Sequence, residues 1–306
     1  MDDPRVQHLM ATGRQRGAEA LIMVIERRRK RGWFRPLLER LYEQYWVGFV
    51  EFWLWRSCRF LWAATLGRWL FLGQRRSRER AQNEIDALRY LARNTTVPVP
   101  RVFSCFPWRG QYYILQTRIP GIDLSKAWTS LIESERETIF NQLRFYTSQL
   151  RNLQSPYGPR ICSTRGKPLS DERLGLNVRH KPMTDLWKFE DEDEMNTALR
   201  DLNALEDMPE DVQRSHSVLH PIRYTHGDLQ PRNIMVHGTR VTGIIDWETA
   251  GWWPAHWEYL KATFNTPDAV TKEFIGYIPR FIPVYKMECD ADWYLFDSEY
   301  WRPVMC

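Results

Sequence analysis

The run THGDLQPRNIMV, residues 225–236, sets Asp228 five positions before Asn233, and GIIDWE brings a second acid, Asp246, thirteen positions after that amide. Two carboxylates and an amide at these intervals suit phosphoryl transfer from ATP, which needs a carboxylate at the acceptor hydroxyl and oxygen ligands for magnesium. One loop then supplies Asp228 as the base and Asn233 as an amide ligand, and the strand and turn that follow supply Asp246 as the metal carboxylate. The intervening IMV, HGTR and VTGIID read as a hairpin, which returns the chain so that Asp246 reaches the same ion. Gly, Asp and Asn are also ordinary turn residues. The whole combination, however, is expected by chance in well under one in roughly a thousand chains of average composition.

Histidines near this loop offer a competing metal chemistry. His216 and His220 have the i, i+4 spacing of a helical zinc pair, with His226 and Asp228 close behind. HSVLH lacks the glutamate of a zincin helix, so zinc is the weaker reading.

The elements that must position these residues follow from periodicity and punctuation. Residues 13–72 read as helix. Residues 77–94, SRERAQNEIDALRYLARN, form a clear helix, and the prolines of TTVPVP impose extended backbone after it. RVFSCF and QYYILQTRI read as strands joined by PWRG. A long helix then runs from SKAW to about residue 153. Residues 155–175 read as loop, 190–210 as an acidic, solvated helix, and WWPAHWEYLKATF starts a helix after Pro254.

Composition sets the outer limits. A chain of 306 residues with 43% hydrophobic content can bury a full core, as one large domain or two lobes. The five cysteines are scattered with no C-x-x-C pair, which argues against a disulfide framework or a cysteine zinc site and fits a reducing compartment. MDDPRVQHLM is too polar for a signal peptide, so the expected address is cytoplasmic. Charge is uneven: residues 1–80 carry 17 Lys or Arg against 8 Asp or Glu, and six of the fifteen Trp. Residues 46–72 are too charged for a clean membrane span and read either as a helix on a membrane surface or as helix–helix core. No nucleic-acid motif accompanies the basic residues, so no nucleic-acid partner is expected.

At HGDLQPRN and IIDWE the sequence resembles the aminoglycoside phosphotransferase and choline kinase-like family, in the form common among filamentous fungi. PVPRVF, YILQTRIPGIDLSKAW, QLRNLQSPYGPRICS and VTGIIDWETAGWWPAHWEYLKA extend the resemblance over roughly residues 76–275. It implies an α+β, bilobal protein-kinase-like fold with ATP and Mg2+ as cofactors. It also implies that Asp228 is the catalytic base, that Asn233 and Asp246 hold magnesium, and that Gln116, Thr117, Arg118 and Ile119 form the hinge to adenine. Glu84 would partner the nucleotide-binding lysine.

That lysine is missing: the chain has none between Lys30 and Lys126, and alignment on the family pattern puts Phe71 in its place. Arg75, Arg76 or Arg78 could supply the charge, with different geometry. The glycines from 33 to 109 are Gly48, Gly67 and Gly73, so no Gly-rich loop is recognisable. The expected organisation is an atypical helical segment 1–75, a reduced β-containing lobe 76–120 and a helical catalytic lobe 121–306. Two functions stay open. One is an ATP-dependent kinase for a hydroxyl or amine of a small molecule, in specialised metabolism. The other is a weak or inactive kinase-like protein with a binding or membrane-associated role.

Overall fold

The structure, a computed structural model, describes residues 66–177, 186–264 and 269–297. The chain divides into two compact units, Met1–Arg68 and Trp69–Cys306, and every element from Leu70 onward belongs to the second. Most of the stretch 46–72, on which the membrane expectation rests, lies outside the described residues. Among the described residues no helix is long and apolar enough to cross a membrane.

The helical reading of 13–72 needs correction at its end, because Leu70–Arg75 is a strand, β1. A short apolar run carries no decisive period. Here cross-strand pairing settles it, with β1 antiparallel to β3 from Leu70↔Thr117 to Arg75↔Tyr112. Helix α1 (Arg78–Asn94) starts at Ser77, whose hydroxyl accepts the Arg80 amide at 3.2 Å. β2 (Val102–Trp108) and β3 (Gln111–Thr117) follow as a hairpin, turning at Arg109 and Gly110 with both φ positive. The sheet order is β1-β3-β2, and Ala81 and Ile85 of α1 pack on Ile114 of β3.

Beyond this sheet come β4 (Ile122–Asp123) and α2 (Leu124–Ala127), capped by the Asp123 side chain. The long helix expected to residue 153 is broken after Ser130. The Glu135 carboxylate accepts the Ile132 amide at 3.0 Å and starts a separate helix, α3 (Glu133–Asn152). The region expected as loop contains β5 (Cys162–Ser163) and α4 (Glu172–Asn177). Within the acidic stretch the α-helix is the short α5 (Glu192–Leu199), and α6 (Glu210–His216) starts only at its last residue. It is not simply solvated, since α5 buries Glu192, Met195, Asn196 and Leu199.

The remaining elements are β6 (Ile222–Thr225), β7 (Ile234–His237), β8 (Arg240–Ile244), β9 (Gly251–Pro254), α7 (Trp257–Thr263), α8 (Ala269–Ile275) and α9 (Lys286–Asp297). β7 and β8 form the expected hairpin, with β4 added to the outer edge of β7. That edge demands Gly121, at φ +101°, because a Cβ there would lie 2.1 Å from the Val236 carbonyl oxygen. The main core gathers Trp128, Phe140, Leu143, Ile234, Ile244, Trp247 and Trp252. A second cluster centres on Trp187, Trp253 and Trp257. Such rings each bury about 150–250 Å², and together they make a rigid base under the loop that follows β6.

Candidate active site

His226, Gly227 and Asp228 leave β6 on a loop held almost entirely by backbone contacts. The buried Glu258 carboxylate of α7 accepts the His226 amide at 2.6 Å and the Gly227 amide at 3.2 Å, while Thr249 donates to the His226 carbonyl. Burial raises the Glu258 carboxyl, and the His226 side chain and the two amides oppose it. His226 packs on Trp247 and donates from Nε2 to the Ile245 carbonyl, so its Nδ1 accepts the Asp228 amide at 3.1 Å. Gly227 sits at φ +80°, where a Cβ would approach Thr249 Oγ1 to 2.9 Å. The loop therefore aims Asp228 by clamping its backbone.

Asn233 is buried and donates from Nδ2 to Asp228 Oδ2 at 2.7 Å and to the Asp228 carbonyl at 2.8 Å. That assignment leaves Oδ1 as the acceptor atom that a cation could take. The β7–β8 hairpin returns as expected: Ile234 pairs with Ile244, and the Ile245 amide donates to the Asn233 carbonyl at 2.9 Å. Asp246 follows at φ 68°, a costly left-handed conformation for a non-glycine residue and one that clusters at functional sites. Asp228 and Asp246 share a cavity of about 210 Å³ with Arg80, Glu172, Arg232, Glu248 and Lys261.

Alignment put Phe71 where the family has its lysine, but the cation that meets Glu84 is Arg75. Phe71 is half-exposed on β1, paired with Gln116 and lying under the Arg118 guanidinium. Four residues on, Arg75 shares its strand face and reaches Glu84 with two bonds, Nε to Oε2 at 2.5 Å and Nη2 to Oε1 at 2.7 Å. The same guanidinium contacts Asp246 Oδ1 at 2.9 Å and Glu248 Oε2 at 3.2 Å. Glu84 is thus not left unpaired. Burial pushes its carboxyl up, Arg75 pulls it back, and Asp246 and Glu248 push again, leaving it at about 7. Of the three arginines that the sequence offered for this charge, Arg75 is the one that meets Glu84.

Glu84, Asp228, Asn233 and Asp246 are therefore brought together. Gln116, Thr117, Arg118 and Ile119 are not among them; they end β3 and lead out of it, and none lines the acidic cavity. The Thr117 and Arg118 amides are already committed, to the Arg101 and Trp69 carbonyls. Gln116 Oε1 is buried with no hydrogen-bond partner. Its side-chain nitrogen and the Phe71 ring flank Gly73, near enough that a Cβ there would touch both. The oxygen donors of Asp246 and Asn233 are of the type that suits magnesium.

Sequence reasoning missed Arg80, Arg232, Glu248 and Glu258. Arg80 bridges Glu248 at 2.7 Å and Ser170 at 2.7 Å, and Arg232 donates from Nη2 to both Asp228 oxygens at 2.8 and 2.9 Å. For Arg232 and Glu248 the signal lay in the motif's own letters, the arginine of QPRN and the glutamate of DWE, whereas Arg80 and Glu258 lie outside it. The zinc pairing does not form on a helix: α6 ends at His216, which pairs with Arg200, while His226 serves the loop.

The profile of the phosphotransferase enzyme family (APH) matches residues 59–281. No curated protein matches the sequence significantly. Similar solved structures include the aminoglycoside phosphotransferase APH(4)-Ia, at 16% identity, covering 75% of this chain and 77% of that one, with a TM-score of 0.48. An aminoglycoside-3'-phosphotransferase of type VIII gives 16% identity, 74% and 84% coverage and a TM-score of 0.45. The enzyme APH(3'')-Id from Streptomyces rimosus, solved with ADP and streptomycin, gives 13%, 74%, 85% and 0.43 in the same order. The profile spans most of the chain and contains both the loop carrying Asp228 and the hairpin carrying Asp246; the chain belongs to the phosphotransferase enzyme family.

Proposed function

We propose that the protein transfers the γ-phosphoryl group of ATP to a hydroxyl or amine of a small molecule, in a two-lobed kinase-like arrangement. The observation that carries this reading is Arg75, which joins Glu84 to Asp246 beside Asp228. In this reading Arg75 takes the place of the phosphate-binding lysine, and Glu84 holds its fork toward the phosphates. Asp228 accepts the acceptor's proton as the oxygen attacks phosphorus in line and the bond to ADP breaks. Asn233 Oδ1 and the Asp246 carboxylate would hold magnesium, which would neutralise charge on the phosphates. Ile119 would be the hinge amide to adenine, since those of Thr117 and Arg118 are spent.

Aminoglycosides are the substrates of the similar enzymes, and a polyhydroxylated or amino-bearing acceptor from specialised metabolism is the matching class for this chain. ADP release on addition of aminoglycosides, amino sugars and choline, with Asp228→Asn as control, tests the assignment. Release from none of them, with magnesium and ATP bound, would favour the second reading. That reading is a kinase-like protein with little turnover, and it draws on the arginines that neutralise both acids: Arg232 on Asp228 and Arg75 on Asp246. Membrane contact through residues 46–72 rests on composition alone, and flotation with anionic vesicles tests it.

A further inference from the structure

Away from the acidic cavity, three metal-type donor atoms converge. Glu192 Oε1 lies 2.7 Å from His220 Nδ1 and 3.4 Å from His256 Nδ1, and the two nitrogens are 3.3 Å apart. Glu192 opens α5, His220 lies between α6 and β6, and His256 immediately precedes α7. All three side chains are at most 9% exposed. On the far side of the His220 ring, Nε2 lies 3.2 Å from Glu288 Oε1 on α9.

We propose that Glu192, His220 and His256 form a structural site for a zinc-type divalent cation. Ligands about 2.0–2.1 Å from a tetrahedral ion are separated by about 3.3 Å. Two of the three edges already have that length, and the third needs to open by about half an ångström. Glu288 supplies the outer partner. A carboxylate that accepts from one ring nitrogen fixes the tautomer and turns the other nitrogen's lone pair to the metal. With that tautomer and no cation, the His220 Nδ1 lone pair would face the Glu192 carboxylate at 2.7 Å, which is repulsive. The competing arrangement is an imidazolium at His220 donating to both glutamates. It leaves the buried Glu192 and the half-buried Glu288 sharing one charge, whereas a divalent ion balances both.

Mixed nitrogen and oxygen donors select zinc over magnesium or calcium. The adjoining cavity, about 10 Å³, has room for about one water, the natural fourth ligand. Buried to this degree, the site braces structure. It ties α5, the loop before β6, the start of α7 and, through Glu288, α9. His256 stands two residues before Glu258, whose carboxylate clamps the loop that aims Asp228.

The test uses the full chain, untagged and purified without added metal. Elemental analysis should find about one equivalent of zinc per chain. Chelation should lower the melting temperature, and zinc alone should restore it. Cobalt(II) refilling should give the visible d–d bands of a tetrahedral site. His256→Gln and Glu192→Gln should lose that equivalent, while Asp246→Asn keeps it, which separates this site from the magnesium position. A folded chain with no zinc, whose melting temperature responds to neither chelator nor zinc, overturns the proposal and leaves the imidazolium arrangement. Zinc lost in Asp246→Asn and kept in His256→Gln overturns it as well. The wild-type chelation result stands even if a variant fails to fold.

Discussion

Replacing Arg75 by methionine removes the cation from three carboxylates at once. Glu84 loses two bonds, Asp246 and Glu248 lose one each, and Glu84 is 1% exposed. Breaking a buried pair from one side costs about 3–5 kcal/mol, chiefly through the charge left behind. The pH dependence has a definite sign. A carboxyl raised to about 7 from an unfolded value near 4.5 favours folding below that lower value and loses the benefit as pH rises through 7. Without Arg75 the pull that lowers Glu84 is gone, so its titration moves higher and the deficit grows above neutrality. Urea unfolding at pH 5 and pH 8 should show the larger penalty at pH 8. Calorimetry with magnesium and ATP should show affinity reduced about tenfold to a hundredfold, from a lost charge-assisted contact of about 1.5–3 kcal/mol. Arg75→Lys keeps one charge but cannot span Glu84 and Asp246 with a planar fork, so it should fall between. A penalty under about 1 kcal/mol at pH 8, or unchanged nucleotide affinity, would refute the role given to Arg75.

Other substitutions probe separate parts of the site. Asp228→Asn should still bind nucleotide but lose turnover by about 10² or more, whereas Asp246→Asn should lose magnesium affinity; a magnesium titration of ADP release separates them. Gly121→Ala, with its Cβ driven onto the Val236 carbonyl, should cost more than about 1 kcal/mol in urea melts. Burial and Arg200 depress His216 to about 4 from 6.5. A depressed histidine favours folding above its unfolded value, so about 3 kcal/mol should be lost as pH falls from 6.5 to 4. His216→Gln should flatten that part of the stability–pH curve.

What was legible in the sequence had local causes. The hairpin and α1 were set by strand alternation, turn residues and a serine cap, and the Asp228–Asn233–Asp246 set by short-range spacing. Other features had distant causes. β1 exists because β3 offers it a partner more than 35 residues later, and its Leu-Phe-Leu run has no period of its own. The cation's place could not be counted from Phe71, since strand length depends on that pairing. Glu258 grips amides 31 and 32 residues earlier, and no spacing rule announces such a clamp. The metal-type cluster likewise draws Glu192, His220 and His256 from separate elements, so the visible i, i+4 histidine pair pointed to the wrong partner.

The β7–β8 hairpin is anchored at its mouth, where Ile245 donates to Asn233 and Ile234 pairs with Ile244. The spacing between the two oxygen donors is therefore set at the open end, while the chain between them runs out to a turn at Gly238 and back. Residues added in matched numbers to both strands would lengthen the arm without moving either donor. A residue added to one strand alone would reverse the facing of everything beyond it. The tip is thus a permissive site for grafting an epitope or a fluorophore attachment point, provided that Gln142, which bonds the Thr239 carbonyl and the Val241 amide, keeps its grip. The thirteen-residue interval from Asn233 to Asp246 is accordingly one solution among several, and sequence searches that insist on it would overlook chains whose arm is longer but whose mouth is the same.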